Sequence, residues 1–538
     1  MRLSCLRFCL PALLAGAIAA AGQSFHLSGR VVDARSGQAV AHSVVELNPI
    51  TQRSASLSTV ADDEGRFAFT NLAQGKYQLS ASHRGYLTQS YLQHDQFSTA
   101  IAVGRDVPSE DLLFPLTPQS ILYGTITDEA GEAVRRARVR VYANGEADNK
   151  QGGVRPPRLG ESAMTDDQGK YEISDLSPGD YYLAVTAQPW YARGHVMMIV
   201  MIGEPRTGEE DAADSPLNVA YPTTFYLNAT GPDEATPIPL RGGERLEINL
   251  TLNPQHAMRL HLPVPQVKDA GYNVTLSQSV FGIAEPVEIG SQRMENGDLI
   301  IDGVLPGHYD VNVMQFGATA NHASHFVADV VPGSSTLNPS EMINEVTVTG
   351  KVTGLEEKPA YAGISLISSH PQRNYYAPLD AQGEFSLSVD PGDYEVIGQI
   401  PQMYLGRVTS PNATVHGRRL EVKNGASPRL EIVASKGVGQ IDGFVTAGNQ
   451  RPGGIMVLLA PENPADNGIL FRRDQSDSDG TFTLGNILPG RYRLYAIEHG
   501  WDLNWADAEV LRAFAKKSIA IEVHAGEKLK QTVEVQSK

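Results

Sequence analysis

The three tryptophans of this chain, Trp190, Trp501 and Trp505, fall in two loops of similar make-up, QPWYARG from Gln188 and EHGWDLNW from Glu498. Aromatic faces stack on the apolar faces of sugar rings, and neighbouring amides or carboxylates bond the hydroxyls. Trp190, Tyr191, Trp501, Asp502, Asn504 and Trp505 therefore form a candidate ligand-binding set for a polysaccharide or glycan. The same rings would equally cap the open end of a β-sandwich, and the sequence leaves both readings open. A stacking site of this kind binds weakly, at about millimolar to micromolar, roughly -4 to -8 kcal/mol.

Other spacings point to chemistry they do not complete. His524 and Glu527 form an HxxE pair of the kind that holds zinc in carboxypeptidases, but no histidine follows to supply a third ligand. His322 and His325 have a spacing that would share one helical face, in a region that reads as strand. Asp477 and Asp479 in DSDG resemble part of a calcium loop, yet a hairpin turn needs an acid before its glycine for backbone reasons alone, and six oxygen ligands are not supplied. No GxSxG elbow, HExxH or phosphate-cradling glycine loop occurs. No catalytic residue, metal or cofactor is assigned. The competing reading is a metal-dependent, peptidase-like hydrolase with its site at a domain junction.

Those residues must be positioned by a scaffold of some size. A length of 538 residues is too great for one core and predicts several domains. The net charge of -17 disfavours nucleic acid and anionic lipid as partners. Residues 1–21 carry Arg2 and Arg7, an apolar run from Phe8 to Ala19, and small residues at Ala19 and Ala21, the pattern of a cleaved export signal. The run is too short to span a bilayer, and no membrane segment is expected once it is removed. Cys5 and Cys9 both lie inside it, so the mature chain has no thiol and no disulfide.

One unit recurs five times: DDEGRFAFTNLAQGKYQLSA from Asp62, DDQGKYEISDLSPGDYYLAV from Asp166, ENGDLIIDGVLPGHYDVNV from Glu295, DAQGEFSLSVDPGDYEVIG from Asp380 and DSDGTFTLGNILPGRYRLYA from Asp477. Each glycine Gly65, Gly169, Gly297, Gly383 and Gly480 follows an acidic or amide residue, which predicts a turn whose glycine takes positive φ, and alternating apolar residues then predict a strand with one buried face. A second glycine opens the next strand, with Tyr77, Tyr181, Tyr309, Tyr394 or Tyr492 two residues on. Each tyrosine is expected to pack at the sandwich edge with its hydroxyl on a nearby backbone group. Ahead of four units stands a strand beginning GRVVD at Gly29, GTITD at Gly124, GKVTG at Gly350 or GFVTA at Gly443; the third has MRLHLPV from Met258 instead.

Together these strands and turns resemble the carboxypeptidase regulatory-like domain, a prealbumin-like sandwich related to collagen-adhesin B-type repeats and to carbohydrate-binding-like folds. The resemblance covers nearly all of the mature chain and implies a secreted bacterial protein without implying peptidase activity. Collagen-adhesin repeats also imply a Lys to Asn isopeptide lock, but only Lys351 stands near the required place, where other units have Arg30, Thr125 and Phe444. No such lock is expected.

The expected fold is all-β: a tandem array of about five prealbumin-like, Ig-like sandwiches at 22–118, 119–253, 254–340, 341–436 and 437–538. The second carries a long return, the third diverges, and the last has one short helix at 505–517. Short joints predict a semi-rigid, elongated string. The expected role is a non-catalytic binding or scaffold protein, exported to the periplasm or exterior, whose partner is a glycan or another envelope protein.

Overall fold

The computed structural model describes residues 24–537 apart from 51–54, 106, 144–146, 149–152, 155–157, 193–215, 266–270, 317–320, 339–342, 356–360, 370–371, 402 and 463–469. The export signal and residues 193–215 of the second unit's long return lie outside the described residues, as does the side chain of His322. What is described is a tandem all-β chain with five hydrophobic cores, one for each repeat.

The repeat begins at its turn. Asp62 accepts from the amides of Glu64 and Arg66 at 3.0 and 2.7 Å, Asp166 from those of Gln168 and Lys170 at 2.9 Å, and Asp380 from those of Gln382 and Glu384 at 2.9 and 2.7 Å. Gly65, Gly169, Gly297, Gly383 and Gly480 have φ of 75°, 72°, 96°, 75° and 78°, where any Cβ would be strained. The following strands bury alternate residues, such as Phe67 and Phe69, Tyr171 and Ile173, and Phe482 and Leu484. The five tyrosines behave alike. Each hydroxyl donates to the carbonyl four residues back: Tyr77 to Ala73 at 2.9 Å, Tyr181 to Ser177 at 2.9 Å, Tyr309 to Leu305 at 2.8 Å, Tyr394 to Asp390 at 2.7 Å and Tyr492 to Leu488 at 2.7 Å.

The opening strand of four units runs parallel to the segment that closes the same sandwich: Phe25–Asp33 beside Leu112–Leu116, Ser120–Thr127 beside Arg245–Glu247, Val346–Thr353 beside Arg429–Lys436, and Gly439–Thr446 beside Lys528–Gln536. Its glycine permits that approach. A Cβ at Gly29, Gly124, Gly350 or Gly443 would drive into the carbonyl of Leu112, Ile248, Leu430 or Gln531. In the third unit, Met258–Pro263 pairs with Asp298–Val304, and among the described residues its parallel partner is the single bridge from His261 to Thr336. Leu262 faces Leu299 where the other units set glycine against Phe67, Tyr171, Phe385 or Phe482.

In the fifth unit, Lys528–Gln536 pairs with both Gly439–Thr446 and Gly490–Ile497 and joins its two sheets into one. Outside that sheet, Leu511 and Phe514 cover Met456, Leu458 and Tyr495 in a small second core. The helix doing so is shorter than expected. It spans Ala508–Ala513, because Asp507 is its N-cap, accepting from the Glu509 amide at 2.8 Å, and Phe514 leaves helical geometry before a single 3-10 turn at Ala515–Lys517.

Successive sandwiches lean on one another. The Arg35 guanidinium reaches the Gly242 carbonyl, and Phe281 at a hairpin tip of the third sandwich packs 5.4, 4.6 and 5.8 Å from the rings of Tyr142, Tyr182 and Phe225 in the second. His325 of the third places Nδ1 2.7 Å from Asp390 Oδ1 of the fourth. The ends of the chain also meet, which corrects the expectation of an elongated string: the first sandwich lies against the fifth. The bonds that hold them, Lys76 to Asp477 and the Ala100 and Ala102 backbone to Ser478, join residues of different repeats and so leave no mark in the spacing of the sequence.

Candidate binding sites in the loops after the tyrosine strands

The loop after Gly490–Ile497 turns at His499, φ 53°, into a 3-10 turn at Gly500–Asp502. That turn sets Trp501 on the small second core, together with Trp505. The other side of Trp501 meets the first sandwich. His94 stacks on it at 5.5 Å and 7°, and Phe97 lies 5.0 Å away. The Arg473 guanidinium lies 4.0 Å from the Trp505 ring centre, 5.2 Å from Phe97 and 5.6 Å from Trp501, so one cation serves three aromatic faces. Trp505 completes the group edge-on to Phe471. The Trp501 indole nitrogen is buried without an acceptor. Asp502 is exposed and Asn504 half-buried.

Polar contacts surround these rings. Gln475 donates to the Leu92 carbonyl at 2.6 Å and to Thr99 Oγ1 at 2.8 Å, and its Oε1 lies 3.0 Å from His94 Nδ1. Asp477 departs from its counterparts in the other repeats. Its carboxylate accepts from the Ala100 amide at 3.1 Å and from Lys76 Nζ at 2.5 Å, while Asp479 takes the Thr481 amide of their own turn at 3.1 Å. The pair considered for calcium thus converges on a lysine ammonium, with Asp479 3.6 Å from the same nitrogen. Asp474, nearby, accepts from the amides of Gln475 and Thr483. Burial nevertheless pushes its carboxyl up to about 6, with the charge of Asp477 adding and Lys76 opposing. Burial likewise raises Asp477, against the pull of Lys76 and the Ala100 amide.

In the second sandwich the equivalent loop is open. Trp190 is 68% exposed and stands edge-on to Tyr191 at 5.6 Å. Tyr191 donates to Glu129 Oε1 at 2.5 Å and Tyr221 to Oε2 at 3.5 Å. Desolvation, aided by Glu129, pushes Tyr191 up to about 12 and raises Tyr221 as well, so both stay protonated donors. Gln188 is taken up by the third sandwich, donating to the Ile289 carbonyl. The loops of the first and fourth units fold onto their own sheets: Tyr86 donates to Asp33 at 3.0 Å, Tyr91 packs edge-on to Phe114, and Met403–Thr409 pairs as a strand. The six candidate residues therefore divide. Trp190 and Tyr191 form one site on the second sandwich, and Trp501, Asp502, Asn504 and Trp505 belong to another on the fifth.

Sequence reasoning missed Glu129, His94, Phe97, Arg473 and Lys76, all distant in the chain from the rings or acids they serve. Of the metal-like spacings, His524 and Glu527 close their own turn, the Glu527 carboxylate accepting from the His524 amide at 2.9 Å. Among the described residues no three His, Cys, Asp or Glu side chains converge as metal ligands. Lys351 points outward to Glu384 at 3.1 Å. No helix among the described residues is long and apolar enough to cross a membrane.

Residues 26–107 and 121–199 match the carboxypeptidase regulatory-like domain. No curated protein matches the chain. Similar solved structures include the Bacillus anthracis TIE protein, 10% identical over 95% of this chain and 74% of its own, with a TM-score of 0.17. A streptococcal ancillary pilin is 11% identical over 59% of this chain and 98% of its own, TM-score 0.19. The shaft pilin SpaA from Lactobacillus rhamnosus GG is 10% identical over 43% and 98%, TM-score 0.19. TM-scores this low carry no inference about function or domain arrangement.

Proposed function

We propose that this chain, whose first two sandwiches are carboxypeptidase regulatory-like domains, is an exported, non-catalytic binding or scaffold protein of the envelope. The observation that supports this reading is the use of its polar and aromatic side chains to join sandwich to sandwich: Arg35 to Gly242, Phe281 to Tyr182, His325 to Asp390 and Lys76 to Asp477. Such contacts hold a fixed surface for a partner. The ligand class we assign is a glycan, held weakly at Trp190 and Tyr191, where an exposed indole lies beside tyrosine hydroxyls and the Glu129 carboxylate. The loop with Trp501, Asp502, Asn504 and Trp505 offers a second such site through the exposed Asp502 and the half-buried Asn504, since His94 and Phe97 cover Trp501 and Arg473 lies over Trp505.

A glycan array with the intact chain, repeated with Trp190→Ala, tests the assignment. Weak binding lost in the variant supports it; binding untouched by the substitution moves the site elsewhere, and no binding at all leaves the scaffold role alone. Stoichiometric zinc in the purified chain would favour the hydrolase reading instead.

A further inference from the structure

The contact between the first and fifth sandwiches differs in kind from that between the second and third. Phe281 enters a cluster of rings that belongs to both of its sandwiches. The end-to-end contact instead joins two surfaces that are each built without the other. On the first sandwich, residues 90–97 form a turn closed by its own bonds: His94 and Phe97 exchange both backbone hydrogen bonds at 2.8 and 2.9 Å, and the Gln93 amide ties the Ser90 nitrogen to the Asp95 carbonyl. On the fifth, Trp501, Trp505 and Arg473 are seated on the small core beneath the helix. Beside them the strand Ile101–Val103 turns Ala100 and Ala102 outward, and the fifth sandwich buries them to 5% and 6%. Ser478 donates its amide to the Ala100 carbonyl at 2.9 Å, and its hydroxyl accepts from the Ala102 amide at 2.8 Å.

Preformed surfaces dock as rigid bodies, without refolding. They also match in charge: Lys76 meets Asp477 and Asp479, and Arg473 lies 3.8 Å from Asp95. Because they sit at opposite ends of one chain, the same match is available between two chains. We propose that the aromatic socket of the fifth sandwich docks the His94–Phe97 turn of a second copy as well as its own, so that two chains close on each other through two identical contacts. Exchange of this sort creates no contact that the single chain lacks, and it follows concentration, because closure within one chain competes through its effective concentration. This inference does not depend on the glycan assignment.

The leader holds both cysteines, so a chain lacking it gives a clean cross-linking background. One tagged population carries Ala102→Cys and a differently tagged one carries Ser478→Cys. The double variant Ala102→Cys/Ser478→Cys should oxidise within one chain when dilute, and its failure to do so would overturn the proposal by removing the contact itself. Mixed single variants should form a hetero-disulfide whose yield rises between about 1 and several hundred micromolar. The yield should fall about tenfold, the equivalent of about 1.4 kcal/mol, when Trp501→Ala and Arg473→Ala are added to the Ser478→Cys chain. His94→Ala with Phe97→Ala in the other chain attacks the contact from the opposite side and should act alike. Absence of hetero-disulfide over the whole range, or a yield indifferent to both pairs of substitutions, would show that the surfaces close only within one chain.

Discussion

Lys76 and Asp477 stand 401 positions apart in the chain and 2.5 Å apart in space. Asp477 occupies the place of Asp62, Asp166 and Asp380, whose carboxylates close their own turns, but in the fifth unit that group faces the first sandwich. One lysine is thereby set against Asp477 and Asp479, with Asp474 close by.

Lys76→Met should open the end-to-end contact, since it leaves carboxylates that the first sandwich has partly desolvated without a counter-charge. The expected loss is about 1 to 3 kcal/mol of closure. Small-angle scattering should report a larger radius of gyration, with the melting of the individual sandwiches unchanged.

Asp474 gives the fifth sandwich a pH dependence. Its carboxyl is raised in the folded chain to about 6 from 3.8, so the folded state binds the proton more tightly than the unfolded state. Its contribution to stability is fully present below about pH 4 and is lost as pH rises through about 6. Asp474→Asn should flatten that slope, by on the order of 2 kcal/mol between pH 4 and 7. Denaturant titrations of both proteins across that range will show whether the slope belongs to this residue.

The corner tyrosines separate hydrogen bond from packing. Tyr181→Phe removes the donor to the Ser177 carbonyl and should cost about 1 kcal/mol, whereas Tyr181→Ala should cost roughly 3 to 5 kcal/mol. The same pair of substitutions at Tyr492 should act on the fifth sandwich alone, which calorimetry can resolve.

Phe281→Ala should uncouple the second and third sandwiches. The ring is half-buried against Tyr142, Tyr182 and Phe225, and its removal should cost roughly 2 kcal/mol of coupling. A shared calorimetric transition would then split in two.

What could be read from sequence was what neighbouring residues decide. The turn acids, the positive-φ glycines and the tyrosine hydroxyls all act within four residues of themselves, so each repeat displays them. Gly350 could be read as part of a motif but not explained, because the carbonyl it admits belongs to Leu430. Nor could the sequence tell whether a sugar or a protein ring would cover Trp501, since His94 lies in a different repeat. One sign was present. Thr481 stands after its turn glycine where Arg66, Lys170 and Glu384 carry exposed charge, and a neutral residue there marks the turn that is covered.

The parallel pairing of opening and closing strands also decides how each sandwich carries load. Strands that run side by side in one direction leave their sandwich at opposite ends, so tension along the chain shears the evenly spaced bonds between them together instead of unzipping them singly. Four sandwiches have this arrangement. The third holds its opening strand by the His261–Thr336 bridge instead. Under a pull on the two ends, the Lys76–Asp477 contact is expected to part first and the third sandwich to yield next, an order of extension that follows from which hydrogen bonds carry the load.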